Sequence, residues 1–326
     1  MMRQTCAALA MLFGSSAALA QSAPVKLDAV AGIPNIDDKT QTEDVRFETG
    51  HDDRLTVPVR LGGAGPFRFL VDTGADRTAV SRELAGRLGL VSGQAASLHT
   101  VTGVSTVATA DLPSLELTRK PVKIVDAAVL ERADMGADGI IGVDSLRSKR
   151  VQFDFETDTL SIVPSAVKDF RDEPGTIVVK AARRNGRLVL TDASANGHSV
   201  TVVIDTGAQL SIGNEALRRR LVGHGLIDPL QKVELQSVTG AMITGDYMFV
   251  REIAIGGLKI KNLAIVFADA HTFTKLGLDR KPALLLGMNA IRAFKKVSID
   301  FASRKFRVVL PETSQLVVRL ASARMR

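Results

Sequence analysis

The stretch Phe69-Leu70-Val71-Asp72-Thr73-Gly74-Ala75 returns in the second half of the chain as Val202-Val203-Ile204-Asp205-Thr206-Gly207-Ala208. In both places an apolar run stops at an acid and is followed by glycine. That order reads as a buried strand ending in a tight turn, with the carboxylate held at the mouth of a core. A single Asp-Thr-Gly is equally well a turn capped by its aspartate. Two copies in matching context point instead to two aspartates meeting at one site.

The correspondence continues outward from these two copies. Val101-Thr102-Gly103 answers Val238-Thr239-Gly240, each after alternating polar and apolar residues, and the glycine suggests a hairpin tip. Asp138-Gly139-Ile140-Ile141-Gly142-Val143-Asp144-Ser145-Leu146 answers Leu284-Leu285-Leu286-Gly287-Met288-Asn289-Ala290-Ile291, each an apolar strand closed by glycine and then a short helical turn. Val151-Gln152-Phe153-Asp154-Phe155 answers Val297-Ser298-Ile299-Asp300-Phe301, and each runs on into a second apolar strand. The chain is therefore one unit written twice, mostly short strands with turn signals. The expected fold is all-β, with two lobes related by a pseudo-twofold axis and one short helix in each.

The remaining boundaries follow from composition. Met1 to Ala20 carries Arg3, an apolar stretch and Ala18-Leu19-Ala20, the pattern of a secretory signal cleaved near Ala20. An exported protein, periplasmic or secreted, is the expectation. Residues 21–53 read as an extended arm or pro-segment, 54–165 as the N-terminal lobe, 175–310 as the C-terminal lobe and 311–326 as a basic tail. No later stretch approaches the roughly 20 apolar residues of a membrane-spanning helix. A monomer containing an internal pseudo-dimer is the simplest assembly.

Composition also removes several kinds of chemistry. The one cysteine, Cys6, lies within the expected signal, so thiol nucleophiles, disulfides and thiolate metal sites are not expected in the mature chain. His51, His99, His198, His224 and His271 show no metal-binding spacing, and no metal or other cofactor is expected. The net charge of +7 is spread over small clusters such as Arg218-Arg219-Arg220, without interleaved aromatics. A solvated basic surface is the expectation, and no nucleic-acid partner.

Leu70-Val71-Asp72-Thr73-Gly74-Ala75-Asp76 resembles the active-site motif of the aspartic peptidases in its retroviral form, where alanine follows the glycine. Ile140-Ile141-Gly142 and Leu285-Leu286-Gly287 resemble the two-hydrophobics-then-glycine element that crosses behind that loop in the same family. The likeness covers most of residues 54 to 310 and implies two retropepsin-like or pepsin-like β-barrel lobes. It departs from pepsins in having its sole tyrosine, Tyr247, in the second half, and from retroviral enzymes in having both halves fused.

The resemblance implies an aspartic endopeptidase with Asp72 and Asp205 as its catalytic pair. Two carboxylates sharing one proton supply a base to activate water and an acid to protonate the scissile amide. Thr73, Gly74, Thr206 and Gly207 would support the pair, the glycines by allowing a tight turn with amide donors, the threonines by hydrogen bonds across the axis. Alanine at 75 and 208 leaves out a hydroxyl donor, so the pair should titrate higher than in a pepsin and work at mildly acidic to near-neutral pH. Val101, Thr102, Gly103, Val238, Thr239 and Gly240 would form two flaps over an extended polypeptide substrate. Val104, Ile141, Met242 and Leu286, with Val101 and Val238, are candidates for an apolar subsite wall or simply for core. A catalytically silent peptide-binding or scaffold protein with the same groove is the alternative reading.

Overall fold

The computed structural model describes residues 44–46, 48–49, 55–117, 121–166, 173–225 and 231–311. The expected signal, most of the expected arm and nearly all of the tail lie outside them. Two short strands of that arm are described: Asp44–Arg46 pairs with Thr159–Pro164, and Glu48–Thr49 pairs with Leu55–Leu61.

The N-terminal lobe is a seven-stranded sheet. Strand Leu55–Leu61 pairs with Ala64–Val71 on one side and with Thr109–Glu116 on the other, through Arg60↔Glu116 and Leu61↔Leu115. Those two pairings close the strands on themselves as a barrel, which leaves few unpaired backbone groups at an edge. Strand Gly139–Ile141 lies parallel to Ala64–Val71, with Leu70 opposite Ile140, and antiparallel to Ala79–Ser81.

The C-terminal lobe repeats the crossing of that last strand within a ten-stranded sheet. Ala283–Leu286 runs parallel to Thr201–Ile204, with Val203 opposite Leu285, and antiparallel to Ser211–Gly213. The helix expected after each closing glycine is present as Val143–Leu146 and Met288–Ile291. Each lobe adds two further short helices: Arg82–Arg87 and Arg132–Met135 in the first, Glu215–Gly223 and His271–Lys275 in the second. Three of them are six residues or fewer, too short to show a period, whereas Glu215–Gly223 carries an Asn214 cap and buried Leu217 and Leu221 one turn apart.

A six-stranded sheet joins the lobes. At its centre Lys149–Asp154 pairs antiparallel with Lys296–Asp300, placing Val151 opposite Ile299 and Phe153 opposite Val297. The two segments that answer each other in sequence are thus hydrogen-bonded neighbours about the pseudo-twofold axis. One large core runs from this sheet into both lobes, through Phe153, Phe301 and Phe306.

The apolar runs before each aspartate are buried on both faces. Phe69 and Val71 point into the main core, while Leu70 points to a smaller cluster with Ala79, Leu130, Met135 and Ile140. Val202 and Ile204 likewise face the main core, and Val203 joins Ile212, Phe273 and Leu285 in a third cluster. Side chains alternate along a strand, so two covered faces demand an uninterrupted apolar run.

Candidate active site

Asp72 and Asp205 stand just past the ends of strands Ala64–Val71 and Thr201–Ile204, where the two lobes meet. Each backbone N–H remains tied to the neighbouring strand: Asp72 donates to the Ile141 carbonyl at 3.0 Å, and Asp205 to that of Leu286 at 3.1 Å. The two carboxyl groups are brought together crosswise. A Cβ built on Gly74 would overlap the carboxylate of Asp205, and one built on Gly207 would overlap that of Asp72. Glycine is required at both positions because each turn is the surface against which the other lobe's carboxylate rests.

The threonines lock the turns to each other. Thr73 Oγ1 donates to the Ile204 carbonyl at 3.0 Å and accepts from the Thr206 N–H at 3.1 Å. Thr206 Oγ1 donates to the Val71 carbonyl at 2.6 Å and accepts from the Thr73 N–H at 3.0 Å. Both threonines are buried, and these four hydrogen bonds satisfy their hydroxyls and backbone N–H groups between the lobes. Within each turn the backbone holds the acid: Asp72 Oδ1 accepts from Gly74 N at 2.7 Å and Ala75 N at 3.0 Å, and Asp205 Oδ1 accepts from Gly207 N at 3.1 Å.

Burial first, and then the negative charge of Asp72, raise the pKa of Asp205 from 3.8 to about 7. The Arg187 guanidinium and the N–H groups of Gly207 and Ala208 act in the opposite direction. Two carboxyl groups this close titrate as a pair, and near neutral pH the pair retains a proton. Such a pair can polarise a water through its charged member and protonate an oxygen through its neutral one.

A second layer fixes the turns from behind, with the same pattern in both lobes. Asp144 accepts from the N–H of Thr78 at 3.0 Å and from its hydroxyl at 2.7 Å, while Thr78 Oγ1 accepts from Gly142 N at 3.2 Å. Asn289 Oδ1 accepts from the N–H and hydroxyl of Ser211 at 2.9 and 2.8 Å, and Ser211 Oγ accepts from Gly287 N at 3.1 Å. Side chains at Gly142 and Gly287 would collide with the backbone at Arg77 and Leu210. The glycine after the two hydrophobics is thus the crossing point behind each turn.

Arg187 carries no signal in the sequence, yet it is almost wholly buried between the lobes. Its Nε donates to the Gly74 carbonyl at 2.6 Å, and its Nη1 forms an ion pair with Asp76 Oδ1 at 3.0 Å. A residue of the second lobe therefore holds the turn of the first. Only the inter-lobe geometry reveals it, because its sequence neighbours Asn185, Gly186 and Leu188 read as an ordinary hairpin.

The tip residues lie where two hairpins end. Ala96–Thr100 and Gly103–Val107 make the first, closing across Thr100↔Gly103, and Gln231–Gln236 with Met242–Ile255 make the second. The tips are built alike. Thr102 N donates to Thr100 Oγ1 at 3.3 Å, and Thr239 N donates to Ser237 Oγ at 3.3 Å. Gly103 and Gly240 have φ of 141° and 78°, a region that strains other residues.

Each tip reaches the opposite lobe. Val101 packs on the cluster of Ile212, Phe273 and Leu285, and Val238 on that of Leu70, Leu130 and Ile140. Of the residues read as subsite wall or as core, two are core. Ile141 and Leu286 face the main core, and their neighbours Ile140 and Leu285 occupy the clusters met by the hairpin tips. The period of two in a strand sends adjacent residues to opposite faces, and the sequence motif does not say which. Val104 and Met242 are exposed.

The histidines, read in sequence as unremarkable, are found in pairs: His99 hydrogen-bonds to His271, and the rings of His198 and His224 stack at 4.5 Å. His51 lies outside the described residues. Among the described residues no three His, Cys, Asp or Glu side chains gather as a metal site, and no helix is long and apolar enough to cross a membrane.

Residues 57–148 match the family described as "gag-polyprotein putative aspartyl protease", and residues 191–290 match the family described as "Aspartyl protease". No match was found among curated proteins. One aspartyl protease domain in each half, and one Asp-Thr-Gly turn from each meeting at the axis, place the chain among the retropepsin-like aspartyl proteases in a two-lobed form.

Proposed function

We propose that this protein is an aspartic endopeptidase in which Asp72 and Asp205 share one proton and activate water for attack on a peptide bond. The observation that carries this reading is the crosswise packing of the two carboxyl groups, with Asp205 held at about 7 by burial and by the charge of Asp72. The charged carboxylate takes a proton from water as it adds to the scissile carbonyl. The neutral partner gives its proton to the carbonyl oxygen, and the pair later protonates the leaving amine. Fixed amides at Gly74, Ala75 and Gly207 keep the carboxylates oriented, so little reorganisation accompanies the reaction.

The substrate in this reading is an extended polypeptide with apolar residues around the cleaved bond. The clusters under the two flaps are aliphatic and aromatic, with Leu70, Ile140, Val203 and Leu285 among their members, and the hairpins offer backbone groups for strand-like pairing. Export follows from the pattern of Met1 to Ala20 and belongs to the same proposal.

Purified protein beginning at Gln21 is incubated with a diverse peptide library from about pH 3 to about pH 8, beside Asp72→Asn and Asp205→Asn and with pepstatin as a transition-state mimic. Cleavage at apolar sites by the parent and its loss in both variants is the expected result. Cleavage that survives either substitution overturns the proposed chemistry. A parent that binds peptides without cutting them supports the peptide-binding alternative.

A further inference from the structure

Each flap is latched to the lobe opposite its own, and the two latches differ chemically. The second flap is held by an amide on a carboxylate: Gln236 Nε2 donates to Asp134 Oδ1 at 3.2 Å, beside the tip glycine Gly240. The first is held by two histidines. His99, on strand Ala96–Thr100, sets its Nδ1 3.0 Å from Nε2 of His271, the first residue of helix His271–Lys275. The ring planes lie within 9° of each other, with centroids 5.3 Å apart. Facing nitrogens much closer than the ring centres describe an in-plane N–H···N hydrogen bond. His271 also donates its backbone N–H to the Val101 carbonyl at 2.9 Å, so one residue grips the flap by main chain and side chain.

A hydrogen bond between two imidazoles depends on how many protons the rings hold. With both neutral, one ring donates and the other accepts, and a single added proton strengthens the donor. With both charged, two N–H groups face each other and attraction becomes repulsion. We propose that His99 and His271 are positioning residues of the first flap, closing it on the C-terminal lobe until both rings are protonated and then releasing it. Its meaning for catalysis rests on the peptidase reading, whereas its geometry does not.

The surroundings favour loss of the latch in mild acid. His99 is held below its ordinary 6.5, first by partial loss of water, then by Lys275 and His271 of the facing helix and by Arg187, with Asp76 opposing them. The companion flap strand Gly103–Val107 has no titrating group, Asp269 precedes the helix, and the packed strand Val122–Leu130 brings Lys123 and Asp126, the latter accepting from Thr109. The closed flap thus binds fewer protons than a released one. Closure is favoured above the ordinary histidine pKa and loses that advantage as pH falls through the lowered value. The second flap has no histidine in its latch, so mild acid opens the groove from one side.

The test reads flap position directly. Spin labels are placed at Ser105→Cys, exposed on the first hairpin, and Thr274→Cys, exposed on the facing helix, in protein beginning at Gln21, which carries no other cysteine. Inter-label distances are measured at about pH 7.5 and about pH 5, spanning the histidine range. The expected result is one short distance at the higher pH and a growing, longer population at the lower. His99→Gln keeps a hydrogen-bonding side chain that does not titrate, and its distance distribution should not change with pH. A pH-invariant wild type overturns the proposal. An equal shift in His99→Gln, including one from acid unfolding, overturns it as well. Because no turnover is measured, a catalytically silent protein gives the same latch result, and failure of the peptidase reading remains distinguishable.

Discussion

Replacing Asp205 by asparagine removes a buried acid without changing its shape, and the consequence for stability has a sign and a size. In the folded protein Asp205 sits at about 7 instead of 3.8, so the folded state holds a proton that the unfolded chain gives up. A raised carboxyl pKa contributes stability that is fully present below the unfolded value and is lost as pH rises through the folded value. Between about pH 4 and about pH 8 the loss approaches the full shift of roughly three pKa units, on the order of 4 kcal/mol at about 1.4 kcal/mol per unit. The asparagine side chain would still accept from the Gly207 N–H, and its amide would donate where the shared proton lies, so the variant avoids this loss. The assay is denaturant unfolding of both proteins across that range; the difference between them cancels the titrating groups that do not interact with Asp205, and what remains belongs to the Asp72–Asp205 pair. One main core passes through both lobes, so a single transition is expected. The variant should be slightly less stable or equal near pH 4 and more stable by several kcal/mol near pH 8. Parallel stability curves would refute the assignment of a strongly raised pKa to Asp205.

Other perturbations act on the same structure. Thr206→Val removes a donor to the Val71 carbonyl and an acceptor for the Thr73 N–H, both buried, and should lower unfolding free energy by roughly 2–4 kcal/mol while reducing peptide cleavage. Gly207→Ala forces a methyl group into the Asp72 carboxylate, and cleavage should fall by about a hundredfold or more with the fold retained by circular dichroism. Arg187→Met withdraws a charge that lowers Asp205, so the pKa of Asp205 should rise further and the ionisation of the pair in a pH–rate profile should move upward; a downward move would contradict the electrostatics described. Leu285→Ala should alter residue preference at the cleaved bond in peptide-library profiles more than Leu286→Ala, which acts on the main core and should appear chiefly as lost stability of about 2–5 kcal/mol.

The repeat was legible because each part of it has a local physical cause. An apolar run buried on both faces, an acid at its end and a glycine too crowded to be anything else leave a pattern along the chain, and it occurs twice. The turn-forming Val-Thr-Gly tips were readable for the same reason, since Thr102 and Thr239 bond within their own hairpins. What could not be read is what the two copies do to each other. Arg187 becomes a partner of the first turn, His99 meets His271, Val101 and Val238 cross to opposite lobes, and Ile140 rather than Ile141 joins the cluster under a hairpin tip, only once the lobes are docked. Periodicity records that a strand has two faces but not which partner covers each, and contacts between distant segments leave no spacing to detect. Order along the chain thus specifies the duplicated β fold and the two aspartates. Burial and a neighbouring charge set the proton on Asp205, and each hairpin tip meets the opposite lobe, only in the folded molecule, because both depend on distances between lobes rather than on order along the chain.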